Sequence, residues 1–152
     1  MRTFVTLACS GLLALGSSTV LAQSPSPTPK EVVTAFFELG FVQGKASDAA
    51  RKYISAAKYV QHNPQAPDGR DAFIKGFGAF VDGSGYRCEI KRVLADGDLV
   101  AVHSHCKEHP ANPKERGSAV VDIFRVEQGL IVEHWDVEQA VPAKAKNRNT
   151  MF

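Results

Sequence analysis

From Tyr86 onward the hydrophobic pattern of this chain changes from a helical period to a period of two. That change constrains the fold more than any other feature. Tyr86–Leu94 and Leu99–Lys107 flank the turn signal Ala95-Asp96-Gly97-Asp98, and Ser118–Val126 and Leu130–Gln139 flank Glu127-Gln128-Gly129. The stretch Glu108–Gly117, rich in proline and charge, reads as the loop between two hairpins. Before the change, Thr28 is placed as a helix cap, with Pro29 in the first turn and Glu31 three residues after the cap. Val32, Val33, Phe36, Phe37, Leu39 and Val42 give that helix an apolar face as far as Gly44. A shorter helix begins near Ser47 and carries Ala50, Tyr53 and Ile54. Tyr59 to Pro64 breaks the pattern and ends in a turn. Asp68 is placed to cap a third helix with Phe73, Ile74, Phe77 and Phe80 at helical spacing. Helices followed by an antiparallel meander predict an α+β domain, its N-terminal helices packed on one face of a curved sheet.

Composition bears on what such a domain can bind. Eighteen Lys and Arg balance sixteen Asp and Glu, for a formal net charge of +2, with both signs scattered along the 152 residues. No basic stripe is present, which excludes phosphate-driven nucleic-acid binding. Residues 1–22 read as a secretory leader: Arg2, an apolar run from Phe4 to Leu15, and Val20-Leu21-Ala22 at the cleavage position. Residues 23–29 form a Ser/Pro linker, leaving the domain at 30–152. The expectation is an exported protein, periplasmic or extracellular, with no membrane association once the leader is gone. Export leaves Cys88 and Cys106, on neighbouring predicted strands. In an oxidising compartment they either form one disulfide or remain two separately buried small apolar side chains.

Several short runs resemble a known family. Tyr59-Val60-Gln61-His62-Asn63-Pro64, Gly69-Arg70, Gly97 to His103, Val121 to Val126, Gly129 to Asp136 and the ending Asn147 to Phe152 are similar to SnoaL-like proteins of the nuclear transport factor 2-like, cystatin-like superfamily. The nearest likeness is to the branch named for SnoaL-like aldol-condensation enzymes, and it covers Pro29 to Phe152. The resemblance implies a cone: a strongly bent sheet wrapped around helices, enclosing a deep apolar pocket. It implies ring-closing aldol chemistry with no metal and no cofactor, on a small apolar molecule containing a carbonyl.

The residues themselves support candidates for that chemistry. With Glu127 and Gln128 in a type I turn and Gly129 left-handed, Val126 faces Leu130, Asp122 faces His134 and Val120 faces Asp136. One face then carries Asp122, Phe124, Val132, His134 and Asp136, while the reverse carries Val121, Ile123, Ile131, Trp135 and Val137. A carboxylate beside an imidazole on a half-apolar face can transfer protons near neutral pH, and the same pair can equally be a structural salt bridge. Asp122 and Asp136 compete as the base. Tyr59, Gln61 and His62 are candidate donors to an enolate oxygen, and His62 is also a candidate base. Asn63 and Phe124 complete the expected substrate contacts. Asn63-Pro64 stands where ketosteroid isomerases of the superfamily carry Asp-Pro, and an amide cannot accept the proton. His103 and His105 share one strand face and, with a third imidazole, would make a metal site only against the resemblance. Two apolar faces also suit a homodimer. Rival readings are a binding module that carries a small molecule without chemistry, and a dimeric scaffold.

Overall fold

The computed structural model describes residues 26–152. The leader expected at 1–22 and the first three linker residues lie outside the described residues. Thr28 closes a capping box: its hydroxyl accepts from the Glu31 amide at 3.3 Å, and its own amide donates to the Glu31 carboxylate at 2.7 Å. Two donors that the helix start would leave unpaired are thereby satisfied. Helix α1 runs over Pro29–Phe37 and continues as a π-helical turn over Glu38–Val42. Gly44 ends it at φ +73°, a left-handed conformation that costs glycine little. The guanidinium of Arg87 lies over that glycine, where a β-carbon would sit. Helix α2 spans Ala46–Tyr53.

The third helical stretch is α3 (Arg70–Phe73), a π-helical turn (Ile74–Gly78) and α4 (Ala79–Gly83). Asp68 does not cap it. Gly69, at φ +98°, occupies the cap position, and the Asp68 carboxylate turns back to accept from the Gln61 amide at 2.8 Å. Among the described residues no helix is long and apolar enough to cross a membrane.

Five strands form one curved, unclosed sheet: β1 (Val60–Gln61), β2 (Arg87–Asp96), β3 (Leu99–Lys107), β4 (Ser118–Glu127) and β5 (Leu130–Ala140), in the order β1-β5-β4-β3-β2. Strands β2 to β5 are the two expected hairpins. Strand β1 was not legible as a strand. It pairs parallel with β5, Gln61 beside His134, in a segment the sequence presents only as a broken pattern ending in a turn. Val33, Phe36 and Phe37 of α1 pack on the sheet, and Ala46, Ala49 and Ala50 of α2 pack against α1 and its π-helical turn; with Val100, Val102, Phe124 and Ile131 they form one core, all essentially inaccessible to solvent. Each buried aliphatic or aromatic side chain of this kind contributes about 1.5–3 kcal/mol.

The β4–β5 register differs from the one expected. Gln128 and Gly129 both have positive φ (51° and 78°), so the turn has two residues and places Glu127 opposite Leu130. This is a type I′ geometry, whose twist matches the flanking strands. A bulge follows at Val132, because Val126 pairs with Ile131 and Arg125 with Glu133. Asp122 therefore faces Asp136, and Phe124 faces His134; Asp122 and His134, and Val120 and Asp136, are not directly opposite as expected, although the Asp122 and His134 side chains still meet diagonally. The net slip is two residues, so the side chains beyond the bulge keep their faces. Ile131 does not: it joins the core instead of the reverse face. A second bulge at Lys91 in β2, between Ile90 and Arg92, adds to the bend of the sheet.

Candidate functional site

The concave face of the sheet and the aromatic sides of α1 and the third helical stretch enclose a cavity of about 400 Å³. Strand alternation decides which side chains reach it. From β5 come His134, Asp136 and Glu138; from β4 come Val120, Asp122 and Phe124. Phe73, Phe77 and Phe80 close the opposite wall. Cys88 and Cys106, directly opposite in the β2–β3 ladder, form a disulfide with both side chains buried in the wall.

A chain of hydrogen bonds runs through the polar floor. The Asn63 amide donates to Gln61 Oε1 at 3.0 Å, which identifies that atom as the carbonyl oxygen. His134 Nδ1 lies 2.9 Å from the same oxygen and must therefore donate to it. The other ring nitrogen, Nε2, lies 3.1 Å from Asp122 Oδ1. With Nδ1 committed as a donor, that contact is a hydrogen bond only when one proton lies between the two groups, either on the imidazole or on the carboxyl. Burial pushes the Asp122 carboxyl above the usual carboxylate range; His134 opposes the shift, while Asp136 and Glu138 add to it. His134 is only 9% exposed and stacks on Phe124 with ring centres 4.8 Å apart.

Asp136 is held from the other side. Its Oδ2 accepts from Asn63 Nδ2 at 2.9 Å, and its Oδ1 is buried without a hydrogen-bond partner among the described residues. Asn63 is braced in turn, its Oδ1 accepting from the Gln65 amide at 2.9 Å. Asn63, expected as a substrate contact, thus lines the cavity mainly as a tie between Gln61 and Asp136. Tyr59 is 4% exposed; burial, reinforced by Asp122 and Asp136, pushes its phenol well above the ordinary tyrosine range. It therefore remains a neutral O–H donor at the cavity wall.

Seven of the eight expected site residues, Tyr59, Gln61, Asn63, Asp122, Phe124, His134 and Asp136, line this one space. His62 does not. Gln61 points inward from β1, so its neighbour points outward. There the His62 ring stacks on Trp135, ring centres 4.5 Å apart, and Nε2 lies 2.9 Å from Glu133 Oε1. Trp135 belongs to that convex face. His103 and His105 also face outward, packed against the Phe152 ring, and His105 Nε2 meets the Arg116 carbonyl at 2.6 Å. No group of three His, Cys, Asp or Glu among the described residues is placed to hold a metal ion.

Sequence reasoning missed Tyr86, Glu108 and Glu138. Glu138 was legible from the alternation His134, Asp136, Glu138. Glu108 was not, because it lies where β3 passes into an irregular loop. Burial raises the Tyr86 phenol above its ordinary range, and Asp122, Glu138, Asp136 and Glu108 all add to the shift.

Helices on a curved, unclosed, mostly antiparallel sheet with polar groups on the concave side define a nuclear transport factor 2-like cone. The SnoaL-like domain model matches residues 33–134, and the chain belongs to that family. No curated protein matches the sequence. Among solved structures the chain is similar to a candidate SnoaL-like polyketide cyclase from Jannaschia sp. CCS1, with 19% identity, 77% of this chain and 91% of that one covered, and a TM-score of 0.57. A candidate ketosteroid isomerase from Kribbella flavida gives 18%, 82%, 87% and 0.59 for the same quantities. A nuclear transport factor 2-like protein of unknown function from Mesorhizobium loti gives 22%, 74%, 91% and 0.59. At these identities the likeness establishes the fold.

Proposed function

We propose that this is an exported enzyme that moves a proton at a carbon next to a carbonyl, without a cofactor, in the manner of an aldol-type cyclase. The observation that carries this reading is the Asp122–His134 contact. A single transferable proton lies between a carboxyl and an imidazole on the wall of a cavity large enough for a small molecule. Gln61 holds the imidazole in one tautomer, so that Nε2 exchanges the proton. Asp122, or its neighbour Asp136 across the strands, removes the carbon-bound proton, and the Tyr59 hydroxyl is the donor for the developing enolate oxygen. Membership of the SnoaL-like family supports this type of reaction over unrelated chemistries.

Hydrogen exchange provides the test. Aryl ketones in heavy water are followed by proton NMR for loss of the signal next to the carbonyl. The wild type is expected to accelerate exchange for at least one ketone, and Asp122→Asn to slow it by about 100-fold or more. Acceleration that survives both Asp122→Asn and Asp136→Asn would overturn the catalytic reading, and binding without exchange would favour a carrier. The convex face, with Ile123, Trp135 and the 70%-exposed Val137, supports pairing with a second copy. Sedimentation of the wild type against Val137→Lys tests this: a shift to monomer is expected, and a monomeric wild type refutes it.

A further inference from the structure

The charge on the cavity wall narrows what can occupy it. Four carboxyl side chains line the cavity, Glu108, Asp122, Asp136 and Glu138, and no lysine or arginine among the described residues does so. Several acids on the outside of the domain have basic partners: Glu89 with Lys91, Glu127 with Lys58, and Asp98 and Glu133 with Arg125. Inside, among the described residues, only Asp122 has one, the imidazole of His134. Asp136 is answered by a neutral amide on one oxygen, and its other oxygen is buried without a donor. The Glu108 and Glu138 side chains have no ion pair or hydrogen bond among the described residues. The rest of the wall is aromatic. Phe77, Phe80 and Tyr86 form a cluster with ring centres 5.7–5.9 Å apart, and Phe77 and Phe80 are 43% and 44% exposed.

A concave, low-dielectric surface bearing one sign of charge concentrates the opposite sign. Aromatic faces add attraction for a cation and exclude none of its apolar body. The wall also disfavours a free enolate, whose negative charge would form beside carboxylates; a positive charge on the same molecule removes that penalty. We propose that the cavity selects a ligand joining an apolar, ring-sized body to a protonated amine. The body packs against Phe73, Phe77 and Phe80, and the ammonium lies towards Asp136, Glu138 and Glu108. Ligands carrying a carboxylate or phosphate are rejected. This rests on the reading of the cavity as the ligand site and adds the charge of the ligand to it.

Three probes of one shape separate the alternatives: 2-naphthylmethylamine, 2-naphthylmethanol and 2-naphthoate, titrated calorimetrically into the full domain at neutral pH. The amine is expected to bind at least tenfold more tightly than the alcohol, with the carboxylate weakest. In the double variant Glu108→Gln/Glu138→Gln the amine-to-alcohol ratio should fall towards one. Both side chains are exposed at the mouth, so the variant is expected to fold; retained alcohol binding reports that it has. Equal binding of amine and alcohol, or tightest binding of the carboxylate, overturns the charge assignment while leaving the cavity as a ligand site. A preference unchanged in the double variant also overturns it. Failure of all three probes to bind at millimolar concentration overturns both this inference and the reading it rests on.

Discussion

At the scale of single residues, the site depends on which nitrogen of His134 is committed. Gln61 Oε1 cannot donate, so Nδ1 carries a proton whatever the state of Asp122. Long-range proton–nitrogen NMR should find His134 Nδ1 protonated at neutral pH, and a proton on Nε2 alone would refute the assignment. The same pair makes stability depend on pH. The Asp122 carboxyl is raised above its unfolded value, so the folded state binds that proton more tightly. The resulting stabilisation is fully present below the unfolded value of 3.8 and is lost as pH rises through the folded value. An amide at this position does not titrate and carries no charge to desolvate. Asp122→Asn should therefore raise the melting temperature relative to wild type more at pH 8 than at pH 4. Calorimetric scans at the two pH values check this, and an effect of the opposite sign would mean that the pair is held as a charged salt bridge.

At the scale of elements, two backbone devices place the site. The first is the β4–β5 turn. Gln128 sits at φ 51°, a conformation that costs a side chain other than Asn, Asp or Gly about 1–2 kcal/mol. Gln128→Asn supplies the favoured Asn-Gly turn and should stabilise the domain by about 0.5–1 kcal/mol in urea unfolding. The second is the end of α1. Gly44→Ala would place a β-carbon about 2.0 Å from the Arg87 guanidinium carbon, at a positive φ. The arginine can move aside, so the expected loss is about 1–2 kcal/mol, mostly from the backbone. A larger loss would mean that Arg87 itself matters, since it also donates to the Tyr86 carbonyl beside the cavity.

At the scale of the whole molecule, the disulfide bears on the proposed export. Cys88 and Cys106 are 18 residues apart in sequence, and a bridge closing a loop of that size stabilises a domain by about 3 kcal/mol. Cys88→Ala/Cys106→Ala should lower the unfolding free energy by about that amount, measured in urea without reductant. Export is proposed from Arg2, the apolar run and Ala22, and it would supply the oxidising compartment such a bridge requires. Mass spectrometry of the secreted product should find Gln23 at its N-terminus. A chain retained in the cytoplasm with its first residues intact would refute export.

The sequence by itself determined the order of the helical stretches and of strands β2 to β5, because the change in hydrophobic period and the turn residues are local signals that survive without tertiary context. It also placed Asp122 and Phe124 on one face of β4 and His134 and Asp136 on one face of β5, since alternation fixes parity along a strand; the two pairs share a face because the net slip is two residues. Tertiary structure decided what parity cannot. The two-residue turn and the bulge at Val132 set Asp122 against Asp136 rather than His134, and that choice depends on strand twist. The two-residue strand β1 exists only because β5 offers it a parallel edge; this pairing turns Gln61 inward and His62 outward. The acidic, aromatic cavity is likewise a property of the closed cone. Glu108, Tyr86 and Phe80 come from separate elements and share a wall only after the sheet has bent around the helices.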